Sequence, residues 1–210
     1  VLAVLVGILL QRSQGKKSAP PSEPPEETRW SRFVIHAAAI EKGAVGEDVV
    51  TQVPKGLKWP LVGGASSTPP RYIGGDSKVP LVRLERKRLA WKPVFVLRLE
   101  NRPWLELAPR DGGKFPELRE PKKGNQSRGP RLKDLSLQGS LGRREYEIRI
   151  AGKLVVSASQ QVEDGETIDG SYYVEILKSA QPLPFLALTL ALEHFASLQG
   201  RPASTVLKSA

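Results

Sequence analysis

The sequence PLPFLALTLALEHFASLQ at Pro182–Gln199 decides the fold of this chain. From Leu183–Leu192 only Thr189 interrupts the apolar side chains, and the first acidic group is Glu193. Prolines at the start and Gly200 after the end are typical of helix boundaries. A helix that is apolar on all sides has no face for solvent and has to be buried. The apolar run is about half as long as the roughly 20 residues of a membrane-spanning helix. We therefore expect a helix enclosed by the preceding strands, with membrane insertion as the alternative.

The residues before this helix have the patterns of β-strands separated by short turns. Strand patterns lie at 59–62, 79–89, 94–100, 104–107, 135–141, 146–150, 154–162 and 171–177, and residues 33–40 suit a strand or a short helix. Turns are expected at 101–103, at 151–153 and in the acidic stretch 163–170. Strands at this spacing favour an all-β barrel or sandwich. Because the helix needs a shell, we predict a mostly β fold, a closed β-barrel around a buried hydrophobic C-terminal helix.

The chain divides into a tail, a linker and one domain. Residues 1–17 start with an apolar run and end in basic residues, like the end of a membrane span and its positive flank. They are either a truncated anchor or residual targeting segment, or a short tail docked on a partner or on the domain. Residues 18–29 are a Pro- and Glu-rich extended linker, 30–200 form the barrel domain, and 201–210 are a C-terminal tail. The anchor residues would be Val1, Leu2, Val4, Leu5, Val6, Ile8, Leu9 and Leu10.

The chain is basic, and most of its excess charge lies in the middle. The 210 residues carry a net charge of +10, and residues 71–131 contain 16 Lys or Arg against 7 Asp or Glu. This favours an anionic partner, although a solvated basic face is an equal reading. RNA is the less favoured anion because the loop 119–133 has no aromatic residue on which bases could stack. The candidate anion- or partner-binding residues are Arg83, Arg86, Lys87, Arg88, Arg119, Lys122, Lys123, Arg128 and Arg131.

No stretch of the sequence has the spacing of a catalytic or metal-binding motif. Cysteine is absent, which excludes disulfides and thiolate ligands, and the two histidines have no ligand partner at motif spacing. We expect His194 to lie in the last turns of the helix, where it would favour the helix dipole. The acidic residues of 163–169 lack the order of an EF-hand loop and are expected to form a turn. We therefore expect no catalytic residue, no metal, no cofactor and no small-molecule substrate.

The order of these patterns resembles the LURP-one-related family of the tubby C-terminal-like superfamily, which also contains the phospholipid scramblases. The resemblance covers about 76–198: DSKVPLVRLERKRLAWKPVFVLRLENRPWLEL, LKDLSLQGSL, REYEIRIAGKLVVSASQQ, YYVEI and LPFLALTLALEHF. It implies a twelve-strand barrel around a central helix, and it carries over no catalytic residue. The matching positions are Gly139, Tyr146, Ile148, Gly152, Val155, Tyr172, Val174, Ile176 and Leu183–Phe195.

Two functions fit these patterns. The first is a non-enzymatic, membrane-associated tubby-like domain that binds anionic lipid or acts as a scaffold, on the cytosolic, stromal or matrix side of a membrane. The alternative is an accessory structural subunit of a large membrane-protein or ribonucleoprotein assembly. An enzyme is the third and least favoured reading. Native co-purification separates the first two, since a stable stoichiometric complex favours the subunit and a free monomer that binds liposomes favours the lipid-binding domain.

Overall fold

The computed structural model describes residues 29–42, 46–54, 58–62, 71–72, 82–87, 94–110, 114–122, 129–163 and 166–198. These residues form a mostly β structure that ends in one long helix, which confirms the mostly β fold and the C-terminal helix predicted from the sequence. The strands are β1 (Trp30–His36), β2 (Asp48–Val53), β3 (Lys58–Val62), β4 (Arg71–Tyr72), β5 (Val82–Arg86), β6 (Phe95–Leu99), β7 (Arg102–Ala108), β8 (Glu117–Arg119), β9 (Leu135–Ser140), β10 (Glu145–Ile150), β11 (Lys153–Glu163) and β12 (Glu166–Leu177). The helices are α1 (Ala37–Lys42), a short 3-10 helix (Leu132–Asp134) and α2 (Pro182–Leu198).

All strand pairs are antiparallel and follow one order, β8-β7-β6-β5-β4-β3-β2-β1-β12-β11-β10-β9. Most neighbours are consecutive in the chain, and β12 returns to pair with β1, with Trp30 opposite Leu177 and His36 opposite Ser171. The strands β8 and β9 therefore lie at the two ends of this order. No backbone ladder joins them within the described ranges.

The helix α2 is buried on every side. From Phe185 to Phe195 no side chain is more than 3% exposed. A flat sheet covers only one side of a helix, so burial of the whole circumference requires the sheet to curve around α2. The predicted enclosed helix is thus confirmed, whereas closure of the sheet into a barrel depends on the relation between β8 and β9.

Two local backbone features show why β9, β10 and β11 pair where the sequence predicts strands. Ala151 and Gly152 both have positive φ, 48° and 80°, as the two central residues of a type I′ hairpin turn require. Gly139 has φ 102°, and a Cβ there would lie 2.4 Å from the carbonyl oxygen of Glu145. Only glycine lets β9 approach β10 this closely at that position.

Two local predictions require adjustment. The stretch 163–170 is not a long turn, because β11 continues to Glu163 and β12 begins at Glu166, opposite it. Cross-strand pairing overrides the low β-propensity of acidic residues in this stretch. The stretch 33–40, which suited a strand or a helix, contains both: β1 ends at His36 and α1 starts at the next residue.

Candidate functional site

The basic residues predicted to bind an anion divide into two groups. Six of the nine are described, while Arg88, Lys123 and Arg128 lie outside the described residues. In the first group, Arg83, Lys87 and Arg119 form ion pairs on the sheet.

These ion pairs are three separate sets on β5 to β8, and the set on β8 joins Arg119 to Glu117. Arg83 Nε lies 3.1 Å and Arg98 Nε 2.7 Å from the two carboxylate oxygens of Glu85. Next along the sheet, Lys87 pairs with Glu106, a carboxylate on β7 that is only 6% exposed. The charge of these cations is therefore partly compensated inside the molecule, so they attract an external anion less than the sequence alone indicated.

The second group consists of Arg86, Lys122 and Arg131. All three are exposed, and no carboxylate of the described residues lies within ion-pair distance of them. Arg86 ends β5, Lys122 follows β8, and Arg131 precedes the short 3-10 helix. These three cations are available to an external anion.

An open cleft of about 410 Å³ lies between β8 and β9, the two end strands of the sheet. Its volume falls within the range of small-molecule pockets, about 300–1,000 Å³. Five of its nine lining residues are apolar side chains at the edge of the core, and each of the five is only partly buried. The lining residues are Arg110, Lys114, Phe115, Pro116, Glu117, Leu118, Leu132, Leu135 and Leu137.

The local sequence explains why leucines line this cleft. In β9 the residues Leu135 and Leu137 alternate with exposed Ser136 and Gln138, so that the leucines face the core. From β8, Leu118 faces the same way because it pairs with the buried Leu107. With no partner strand beyond β8 or β9 in the described residues, these inward leucines lack the cover that leucines of a central strand receive.

A second cluster lies in the interior, around the end of α2. The guanidinium of Arg144 donates hydrogen bonds to Glu193, with Nη2–Oε1 2.9 Å and Nε–Oε1 3.3 Å, and to Glu41 with Nη2–Oε1 3.0 Å. Arg144 itself is 7% exposed and Glu193 3%. The backbone of Arg144 has φ 55°, in the left-handed region that non-glycine residues rarely adopt. The fold thus holds a strained turn residue in order to bring this side chain to the helix.

Burial and pairing act in opposite directions on these two charges. Burial raises the pKa of the Glu193 carboxyl, and the hydrogen bonds and charge of Arg144 oppose the rise. For Arg144, burial lowers the pKa, but the hydrogen bonds and charge of Glu193 more than offset it, so that its pKa is raised. The guanidinium therefore stays charged, and α2 is tied to the β9–β10 turn and to α1.

Two tyrosines continue the polar cluster into the core. The hydroxyls of Tyr146 and Tyr172 are 3.5 Å apart, and the Arg144 guanidinium lies over the Tyr172 ring at 5.7 Å from its centroid. Burial raises the pKa of both phenols, so both remain protonated at neutral pH. Nearby on α2, the hydroxyl of Thr189 is fully buried, and its interaction with the Tyr146 phenol acts against the rise in the pKa of Tyr146.

The predicted position of His194 near the end of α2 is confirmed, but its predicted role at the helix dipole is wrong. The ring is 2% exposed and packs edge-on against Phe95 with the ring centroids 5.6 Å apart. Burial lowers the pKa of His194 to about 4, so the imidazole is neutral at physiological pH and does not favour the helix dipole as a cation. The other histidine, His36, contacts two hydroxyls, Ser171 Oγ and Thr51 Oγ1, each at 3.2 Å.

The membrane anchor predicted at residues 1–10 lies outside the described residues. Among the helices of the described part, none has the length and apolar content to cross a bilayer. No family model matches the chain, and no curated protein or solved structure shows significant similarity to it. The LURP-one-related resemblance therefore stays a prediction from the order of the strand patterns.

Sequence reasoning missed the cluster of Arg144 and Glu193 and the cleft at the sheet ends. A signal for the first was present, because a lone carboxylate on an otherwise apolar buried helix requires a cation as partner. The identity of that cation was not readable from a chain with 32 Lys and Arg residues. The cleft had no local signal, since it depends on which strands end the sheet.

Proposed function

We propose that this chain is a non-enzymatic, membrane-associated domain that binds an anionic lipid surface. The supporting observation is the division of the basic residues into an internally paired group and the exposed, unpaired Arg86, Lys122 and Arg131. Near an anionic bilayer an exposed Lys or Arg contributes about 1 kcal/mol, so three of them contribute about 3 kcal/mol. This is enough to localise a domain that a second element also holds to the membrane.

The second element in this proposal is the N-terminal segment. Residues 1–10 insert as the anchor, and residues 18–29 form an extended linker. Twelve residues of extended Pro-rich chain span about 37 Å at about 3.1 Å per residue, which lets the domain reach the membrane surface. The basic flank at 12–17 supports a position of the domain on the cytosolic, stromal or matrix side.

The fold in this proposal is the tubby-like barrel, in which β8 and β9 face each other across the cleft and complete the shell around α2. The burial of α2 on all sides supports such an arrangement. The interior acids and bases favour binding over catalysis, since Arg144, Glu193, Tyr146 and Tyr172 contact one another inside the core.

The test is charge reversal in a chain without residues 1–17, measured by co-sedimentation with vesicles of phosphatidylserine and phosphatidylcholine. Glu at positions 86, 122 and 131 should weaken binding about 100-fold or more, since about 1.4 kcal/mol corresponds to a factor of ten. A control with the same change of charge replaces the exposed Lys42, Arg143 and Lys178 by Glu.

Equal losses in the two triple variants would reduce the proposal to a general effect of net charge. Failure of the unmodified protein to bind anionic vesicles would overturn it. In that case, a stable stoichiometric complex in native co-purification would favour the accessory structural subunit of a membrane or ribonucleoprotein assembly.

A further inference from the structure

The cleft between β8 and β9 has features of a binding site for a single small molecule. Attachment of the domain to a membrane surface does not require such a site. Of the core side chains that remain partly buried, five line this one cleft: Phe115, Leu118, Leu132, Leu135 and Leu137. Elsewhere the inward leucines of the sheet, such as Leu97 and Leu107, have no measurable exposure. Apolar surface that the fold leaves accessible in a concave place is the general signature of a binding site for an apolar group.

The charges around the cleft indicate which polar head group a ligand with an apolar chain would carry. Arg110 and Lys114 line the cleft together with Glu117, and the carboxylate of Glu117 is 2.6 Å from Arg119 Nη2. Arg110 and Arg119 both lower the pKa of Glu117, the largest cause being its hydrogen bond with Arg119. The acidic group is thus engaged by guanidinium groups. The segments 110, 114–119 and 131–137 carry five basic and two acidic side chains, so the rim has a positive excess.

From these two properties we infer that the cleft binds a single-chain anionic amphiphile, that is, one acyl chain with a carboxylate or phosphate head group. The acyl chain would lie against the leucines of β8 and β9, and the head group would lie at Arg110. This extends the proposed function from a lipid surface to one lipid molecule, and rests on it only for the choice of an anionic head group.

A peptide strand is the competing occupant, because β9 has an unpaired edge and peptides add to such edges. The described β8 is three residues long, whereas β9 has six. A strand between them would therefore pair well on one side only. The five partly buried apolar side chains and the basic rim match the two ends of an amphiphile instead.

The test measures the fluorescence of cis-parinaric acid, a single-chain carboxylate, with the full-length protein and below the micelle concentration. We expect saturable binding at one site per chain, displaced by oleate and by oleoyl lysophosphatidate but not by uncharged monoolein. Leu137→Trp fills the cleft and should weaken binding by about tenfold or more, since packed interiors leave no room for a second occupant. The matched control is Leu177→Trp, another partly buried core leucine outside the cleft.

A second variant tests the charged rim of the cleft without changing the packing of the core. Arg110→Glu changes an exposed side chain at the rim and should lower the affinity for oleate several-fold while leaving the melting temperature unchanged. The control Arg102→Glu, at the opposite end of β7, should leave the affinity unchanged.

Three results would overturn the inference: unchanged binding in Leu137→Trp, equal displacement by monoolein and oleate, or a dimer that Leu137→Trp converts to a monomer. The last would identify a strand of a second copy as the occupant. Vesicle binding distinguishes this inference from the proposed function. A protein that binds anionic vesicles but not cis-parinaric acid refutes the ligand site alone, and the converse refutes the surface role alone.

Discussion

At the scale of single residues, the stability of the interior depends on how its polar groups are paired. Arg144 reaches Glu193 and Glu41 from a turn with left-handed backbone geometry. A buried ion pair is weak evidence of net stabilisation, but removal of one partner leaves an uncompensated charge in the core. Each of the two residues is therefore required for stability as long as the other is present.

The first prediction concerns this pair. Arg144→Met should lower the free energy of unfolding by about 3–5 kcal/mol, because Glu193 remains buried without its cation. The double variant Arg144→Met with Glu193→Met should recover most of that loss, as both charges are gone. Urea unfolding measures both values, and Arg143→Met at the exposed neighbouring position is the control. A double variant that is less stable than Arg144→Met would show that the pair itself is strongly stabilising.

The second prediction uses the neutral His194. Its pKa is about 4 when folded and about 6.5 in the unfolded chain, so the unfolded state binds more protons between these values. Burial of neutral His194 therefore makes its full contribution to the free energy of unfolding above pH 6.5. This contribution falls by about 3 kcal/mol as the pH is lowered to 4. His194→Leu should remove this component from the stability–pH curve. All other titrating groups are shared, so parallel curves for the two proteins would contradict the assignment.

At the scale of elements, α2 and β9 show how far a local pattern can be followed. The apolar run of α2 demanded burial, and Phe185–Phe195 is buried throughout. The pattern at 135–141 predicted a strand, and β9 forms there with Leu135 and Leu137 on its core side. Where strands end was less readable: acidic residues at 163 and 166 continue the β11–β12 ladder although their type disfavours strands.

The third prediction tests whether α2 is central to the domain. Leu188 has no measurable exposure, so Leu188→Ala should cost about 2–5 kcal/mol of unfolding free energy, and Leu188→Asp should prevent folding by placing a charge in the core. The control is Leu183→Ala, in the first turn, where the side chain is only partly buried. Measurement is by urea unfolding and circular dichroism. Soluble Leu188→Asp protein with an unchanged melting temperature would show that α2 does not lie in the core.

At the scale of the whole molecule, the net charge of +10 comes from two kinds of basic residue. Among the described residues, some have a carboxylate partner in the fold and others do not. Sequence reasoning located the basic region correctly but did not separate the paired cations from the unpaired ones. Glu106 reaches Lys87 from another strand, which no local pattern shows. Glu85 and Glu117 lie two residues from Arg83 and Arg119 on the same strands, a same-face spacing that was present in the sequence but does not by itself show that a pair forms. The cleft between β8 and β9 depends on non-local strand pairing alone.

Binding to anionic vesicles as a function of salt is the most direct measurement of the proposed role. The chain without residues 1–17 should bind phosphatidylserine vesicles at low salt and detach as the Debye length falls from about 10 Å at 0.1 M to about 3 Å at 1 M. The full chain should remain attached at high salt through residues 1–10, and the variant with Glu at 86, 122 and 131 should show little binding without its tail. Salt-resistant attachment of the tail-free protein would contradict the electrostatic role and indicate a hydrophobic docking surface on the domain.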